Sequence, residues 1–294
     1  MAHRSIPHRN QLRPICVPEP SSRSAYNRKV DLDLVGRRAI VTGSSRGIGF
    51  AVAAALLREG AKVALGARDP QGLAEALSRL DAPDGGALAV PVDTTDDTSV
   101  RALVARTVEV WGGVDVLVNA AATPLDPGAS PGLAGFSEEA LRVEVETKVL
   151  GYVRTARAAA PVMAAAGWGR IINVSGLAAR STGSTIGSIR NVAVSAMTKN
   201  LADELGPRGI NVTAVHPGTT ETERMPDLVA RMAADRGTSE VDVRAALARG
   251  TSIGRLVTAA EVADVVAFLA SPRSVAITGD TIPVGGGVPG AIYY

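Results

Sequence analysis

From residue 37 onward the chain alternates short, unbroken apolar runs with longer segments of helical period, and that alternation admits few folds. The runs are "RRAIVTG", "AKVALGAR", "ALAVPVD", "VDVLVNAAA", "GRIINVSG", "GINVTAVHPG" and "DTIPVGG". None alternates polar with apolar, so each predicts a strand buried on both faces, as in a parallel sheet. Between them lie helix patterns. "GIGFAVAAALLREG" ends at Gly60, a residue suited to a helix C-terminus. "PQGLAEALSRL" follows, and "SVRALVARTVEVW" puts Val100, Leu103, Val104, Val108 and Trp111 on one face. A long helix is expected from about Ser137 to Ala166, then "NVAVSAMTKNLADEL", a helical insertion near 224–249, and "AAEVADVVAFLA". No repeat or internal linker interrupts the pattern. The expectation is one doubly wound α/β domain over 31–294, a parallel sheet of about seven strands covered by helices on both faces.

Composition narrows the class. The chain is 46% hydrophobic and 20% charged, ordinary for a soluble globular protein. Gly, Arg or Glu break its apolar runs well before the ~18 residues a membrane span needs. The single cysteine, Cys16, excludes an internal disulfide, and a reducing cytoplasm is the simplest setting. The net charge of +2 hides an asymmetry: residues 1–29 carry six basic residues against Glu19 alone, so the rest carries −3. That tail, rich in Pro, Ser and Arg, is expected to be a disordered basic extension over 1–30. A transit peptide or a nucleic-acid arm is the alternative reading of it. The mildly acidic body argues against nucleic-acid binding.

"TGSSRGIG", Thr42–Gly49, joins the first strand to the first helix. Gly43, Gly47 and Gly49 let the backbone turn sharply and let a pyrophosphate approach the helix N-terminus, with Ser45, Arg46 and Ile48 between them. The spacing is G-x-x-x-G-x-G, weak alone, but its place between strand and helix of an alternating chain favours a dinucleotide over a mere turn. Strand two ends "LGARD". Arg68 there and Arg46 in the glycine loop would flank a ribose 2′-phosphate, which favours NADP(H) over NAD(H). The alternative is two solvated arginines, and Asp69, one place past the usual acidic position, keeps NAD(H) open.

These motifs resemble those of the short-chain dehydrogenase/reductase family, and the likeness runs from about residue 33 to 288. "TGSSRGIG" is similar to the family's glycine motif. Asp93 in "VDTTD" falls at its adenine-contacting aspartate. "VNAAA" resembles its "NNAG", so Asn119 and Ala120 would lie along the cofactor. "HPGTTET" resembles the Pro-Gly turn at the nicotinamide end, with Pro217, Gly218 and Thr222 in place. "GRLVTAAEVADVVAFLASPRSVAITGDTIPVGGG" resembles its C-terminal segment. The resemblance implies a Rossmann-like fold, a small-molecule substrate, a helical lid near 223–251, and a homotetramer or homodimer built on the helices around 140–165 and 190–206 plus the C-terminal strand.

The likeness fails at the chemistry. The family uses an Asn, a Ser, and a Tyr and Lys spaced Y-x-x-x-K, the Tyr donating the proton. "TKNLADELGPRGINV" matches the family's helix so that this slot falls on "GSIRN", Gly187 for Tyr and Asn191 for Lys. A second ruler agrees: the family's Lys lies about 26 positions before the Pro of its Pro-Gly turn, and Asn191 lies 26 before Pro217. Ser195-x-x-x-Lys199 comes eight residues too late, which leaves Lys199 a surface lysine. In "NVSG", Gly176 stands at the usual Ser and Ser175 just before it. In "TKVLG", Lys148 stands where the family has Asn. Lys148 and Asn191 thus look reciprocally exchanged, which would keep one cation and one amide below the nicotinamide ribose. The alternative is drift, with Lys148 snorkelling outward.

A hydride delivered to a carbonyl leaves an alkoxide that needs a donor. Lys148, Ser175, Asn191 and Ser188 are the candidates by register. Arg190, one residue off that face, is expected in solvent or at a subunit contact. Tyr152 is expected to pack, His216 to be structural, and Tyr293 or Tyr294 could reach a neighbouring subunit's site. Three functions stay open: an NADP(H)-dependent reductase of a carbonyl or activated alkene, a non-redox isomerase, lyase or cyclase, and a catalytically silent NADPH-binding regulator.

Overall fold

The computed structural model describes residues 30–123 and 132–292. Contacts group the chain into Met1–Asp31 and Leu32–Tyr294, and every element below belongs to the second unit. The basic extension, save Val30, and the C-terminal tyrosines lie outside the described residues.

The strands are β1 (Arg38–Thr42), β2 (Lys62–Ala67), β3 (Ala87–Pro91), β4 (Val116–Asn119), β5 (Gly169–Val174), β6 (Ile210–Pro217), β7 (Thr220–Glu221), β8 (Val257–Thr258) and β9 (Thr281–Val284). The helices are α1 (Gly47–Arg58), α2 (Pro70–Ser78), α3 (Asp97–Trp111), α4 (Glu138–Glu144), α5 (Gly151–Ala165), α6 (Thr185–Leu205), α7 (Met225–Arg236), α8 (Glu240–Arg249) and α9 (Ala259–Ala270). Seven strands form one parallel sheet in the order β3-β2-β1-β4-β5-β6-β9, the seven runs expected from the sequence. Every residue of β4 and β5 is buried, as unbroken apolar runs require. One face packs Val41, Val63 and Val118 beneath α1 and α9 with Val52, Leu56 and Val266; the other packs Ile40, Leu117 and Ile171 beneath α3, α5 and α6 with Leu103, Met163 and Leu205.

Strand order reverses between β1 and β4, so the loops leaving their C-terminal ends part and open a crevice there. That topology places the site.

Two features depart from the expected pattern. β7 and β8 pair as two-residue strands in a small parallel sheet beside the crevice, too short for any periodicity to announce. The long helix, capped by Ser137 Oγ accepting from Ala140 N at 3.1 Å, is interrupted: Val145–Leu150 is a π-helical segment between α4 and α5. Glu144, Lys148 and Tyr152, spaced every four residues along it, are all buried. At 3.6 residues per turn, eight positions would drift by about 80° around the axis. The wider π turn takes up much of that drift and keeps the three polar side chains toward the sheet. Among the described residues no helix is long and apolar enough to cross a membrane.

Candidate functional site

The crevice is a cleft of about 1550 Å³ above the C-terminal ends of the strands. Its walls are the glycine loop, the loops after β2 to β6, and the segment carrying α7 and α8. In the glycine loop, Gly43 has φ +67°, and a Cβ there would stand 2.6 Å from Ala120 O; a Cβ on Gly49 would stand 2.3 Å from Gly43 O. Both clashes are with backbone, so only glycine lets β1, β4 and the start of α1 come this close. The N–H of Gly47, an otherwise orphaned donor in the first turn of α1, donates to Glu223 Oε1 at 2.7 Å. A carboxylate therefore sits where an anion is favoured by both the free amide and the helix dipole.

Along the wall from β2 and β3, Ser45, Arg46, Arg68 and Asp93 line the cleft. Asp93 accepts from Thr95 N at 2.9 Å and from Thr95 Oγ1 at 2.8 Å. The backbone bond, then the hydroxyl and the nearby Arg68 and Arg154, hold its carboxyl below the usual range against the opposing effect of burial. Asp69 caps α2 by accepting from Gln71 N at 3.1 Å, which commits its carboxylate locally. Ile48, Ala120, Pro217, Gly218 and Thr222 also line the cleft, and Thr222 Cγ2 would lie 3.9 Å from a Cβ on Gly47. Asn119 does not reach the cleft. Fully buried, it donates to Asn173 Oδ1 at 3.0 Å and accepts from Thr155 Oγ1 at 2.7 Å, an amide chain that satisfies polar groups inside the core.

At the floor, Lys148 is 4% exposed. Its Nζ donates to Ser175 O at 3.0 Å. The Ser175 hydroxyl turns away and donates to Asn191 O at 3.1 Å, with Asn191 Oδ1 at 3.4 Å. Asn191 Nδ2 lies 3.0 Å from where a Cβ on Gly176 would stand. Lys148, Ser175 and Asn191 thus meet around one residue, each lining the cleft. Lys148 does not snorkel outward: its helix faces the sheet here. Burial, and secondly the Arg190 guanidinium, push its pKa down to about 7, against the pull of Glu144.

Arg190 lies elsewhere than the sequence predicts. It is neither in solvent nor free for a subunit contact, but 4% exposed and ion-paired with Glu144 Oε2 through Nη1. The helical period gives the reason: Gly187, Arg190, Asn191, Val194 and Thr198 make the buried stripe of α6. Glu144, which no motif pointed to, supplies the counter-charge. Ser188 is corrected as well. Half-buried, it donates to Ser181 O at 3.1 Å and does not line the cleft. Tyr152 packs fully buried and donates to Val174 O at 3.0 Å, with burial driving its phenol pKa far up. His216 shares a 3.1 Å bond with Ser195 Oγ through Nε2, while burial, Arg180 and Lys148 push its pKa down to about 4. Lys199 is an exposed lysine paired with Asp203 at 2.6 Å.

The segment after β6 brings Met225, Leu228, Leu247 and Leu256 to the cleft, while Met225, Val229, Ala233 and Val243 form their own apolar cluster between α7 and α8. Those apolar residues thus serve packing and cleft together.

Residues 43–289 match the family described as enoyl-(acyl carrier protein) reductase. The short-chain reductase protein NovJ of Streptomyces niveus is 34% identical over 252 residues, which is 85% of this chain and 93% of that protein. The 3-oxoacyl-[acyl-carrier-protein] reductase FabG of Vibrio harveyi is 33% identical over 259 residues, 87% of this chain and 99% of that one. Among solved structures, L-sorbose reductase from Gluconobacter frateurii, complexed with NADPH and L-sorbose, superposes with a TM-score of 0.81 at 28% identity, covering 90% of this chain and all of that one.

Proposed function

Because the chain belongs to the short-chain dehydrogenase/reductase family, we propose that it is an NADP(H)-dependent oxidoreductase that reduces a carbonyl or an activated alkene, with Lys148 acting where the family uses tyrosine. The observation that carries the reading is the floor of the cleft: Ser175 accepts from the buried Lys148 ammonium through its carbonyl and donates through its hydroxyl to Asn191, to the main-chain O at 3.1 Å with the amide Oδ1 at 3.4 Å.

The residues present fit the cofactor. Gly43 and Gly49 leave backbone where any Cβ would collide, Gly47 N–H already holds a carboxylate, and Arg46 and Arg68 line the wall where a ribose phosphate would need them. The similar sorbose reductase is complexed with NADPH, which favours the same cofactor here. Asp69 lines the cleft too, but one of its oxygens caps α2, so Arg46 and Arg68 are the better-placed partners for the ribose substituent. Gly43, Ser45–Gly49, Arg68, Asp93, Ala120, Pro217, Gly218 and Thr222 would hold the cofactor, and Asn119 would support them from the core.

When bound, the nicotinamide supplies a hydride. The chain's task is to stabilise and protonate the oxygen that hydride addition leaves negative. Lys148 Nζ can donate to it, and its pKa near 7 suits proton transfer at neutral pH. Ser175 O and the π turn orient the ammonium, and Asn191 keeps Ser175 in place. An enolate, the product of hydride addition to a conjugated alkene, would gain most from a fixed cation. That point and the description of the matching family favour the alkene. The segment over 223–251 would close over substrate. Val143, Leu150, Ile189 and Val192 are exposed apolar residues on the long helices, which suits a homodimer or homotetramer formed there.

The test is oxidation of NADPH across a panel of ketones, aldehydes and enones, with cofactor binding measured in parallel by fluorescence. Oxidation with at least one conjugated or simple carbonyl compound is expected. Tight NADPH binding with no oxidation across the panel would replace the proposal with a silent binder or a non-redox enzyme.

A further inference from the structure

Three charged side chains, Glu144, Lys148 and Arg190, lie together beneath the cleft, and each is more than nine-tenths buried. Two are cations and one is an anion. Arg190 satisfies Glu144 through Nη1, yet its buried Nε has no partner. Lys148 Nζ carries up to three N–H groups and has Ser175 O as its acceptor. Arg190 and Lys148 both line the cleft. Buried donors left without acceptors cost free energy unless something supplies the acceptor, and a pair of cations with one carboxylate between them leaves one positive charge unanswered when Lys148 is protonated.

On these grounds, and resting on the reading of the cleft as a substrate site, we propose that Lys148 and Arg190 form an anion-binding floor that takes a carboxylate of the substrate, so that the substrates are free oxo or enoic acids rather than their esters or thioesters. An acid presents two acceptor oxygens. One would take the Arg190 Nε–H, which lacks a partner, and the other a free N–H of Lys148. A neutral ester offers a weaker acceptor and no charge, and leaves the excess cation buried and unanswered. The opposite arrangement, a floor that repels acids, would need Glu144 facing the cleft, whereas Glu144 does not line it.

The charged and titratable groups around Lys148 are Glu144 and Tyr152 from its own helix, Arg190 from α6 and His216 from β6. His216 and Tyr152 are neutral near pH 7, so the proton on Lys148 is what changes there. A bound carboxylate stabilises that proton, and acid binding should weaken as pH rises above about 7. Ester binding should stay flat.

The experiment is equilibrium binding to the NADPH-loaded enzyme, by calorimetry or thermal shift, of butyrate, crotonate and 3-oxobutyrate against their methyl esters. The acids are expected to bind at least tenfold tighter than the esters, with the preference shrinking between pH 6.5 and 8.5. Arg190→Met with Glu144→Met removes the ion pair as a unit, leaves Lys148 as the one charge of the three, and should cut the preference below threefold while NADPH affinity holds. Should that double variant not fold, Arg190→Lys keeps the charge, removes the Nε–H, and should cut the preference at least threefold. Esters binding as tightly as acids in the natural protein, or either variant keeping the full preference, would overturn the proposal. NADPH oxidation with the same compounds separates the two readings. Acid preference without turnover sinks reduction and leaves the anion floor standing; turnover of acids and esters alike does the reverse.

Discussion

Lys148 Nζ and Ser175 O lie 3.0 Å apart, and it is the carbonyl of Ser175, not its hydroxyl, that the lysine holds. The hydroxyl points to Asn191 O instead. Replacing the side chain therefore leaves the lysine's acceptor in place. Ser175→Ala should keep Lys148 at the cleft floor, cost about 1 kcal/mol of stability for one hydrogen bond, and lower kcat/KM less than tenfold. Denaturant unfolding and steady-state rates check both. A hundredfold loss would make Ser175 a donor in its own right.

The low pKa of Lys148 has two consequences of known sign. If its ammonium is the donor, kcat/KM should be level below pH 7 and fall above it, and Lys148→Arg should move the fall to higher pH. Stability follows from linkage. Between about 7, the folded value, and the unfolded value of 10.5, the unfolded chain holds a proton that the folded chain has lost. Stability contributed by this group therefore rises with pH across that window, and Lys148→Met should flatten the rise. His216 runs a lower window: its pKa of about 4 lies below the unfolded 6.5, so stability falls as pH drops from about 6.5 to 4. Urea titrations at several pH values measure both.

Arg190 and Glu144 should be strongly coupled. Removing Glu144 alone leaves Arg190 and Lys148 without a buried counter-charge, which costs roughly 3–5 kcal/mol. Glu144→Met should destabilise by about that amount, Arg190→Met by less because Glu144 then faces Lys148, and the pair together by less than the sum. A double-mutant cycle in urea gives the coupling. Additive single effects would mean that the ion pair contributes little.

Glu223 occupies the anion position at the start of α1. A cofactor pyrophosphate needs that N–H, so the carboxylate competes with it and repels it. Glu223→Gln keeps the shape and removes the charge, and should tighten NADPH binding by about two- to fivefold, the size of one charge near a helix terminus. Fluorescence titration at low and high salt checks this, the gain shrinking as salt screens it. Unchanged affinity would mean that the carboxylate moves aside at no cost.

The sheet was legible because both faces of each strand are buried, so "RIINV" and "VLVN" read as unbroken apolar runs. The glycine loop was legible because its geometry tolerates no Cβ. The partners of Lys148 were not. Glu144 and Arg190 are 46 residues apart in the chain, and no local rule joins them. A signal did exist. Arg190 lies three residues after Gly187 and four before Val194, on the apolar stripe of α6, and Glu144, Lys148 and Tyr152 recur every four residues. Polar residues on a buried stripe ask for partners, and that question leads to the pair. The π turn and the two-residue strands β7 and β8 left no such trace, since backbone hydrogen bonding alone defines them.

On the proposed function, the Lys148 ammonium stands in for the missing phenol. The direct measurement is single-turnover oxidation of enzyme-bound NADPH by Lys148→Met, using whichever carbonyl or enone the natural protein reduces, with NADPH affinity determined on the same preparation. A Kd within about threefold of the natural protein is expected, with a rate reduced at least 10²-fold, the range lost when a positioned proton donor is removed. An unchanged rate at equal cofactor occupancy would contradict it.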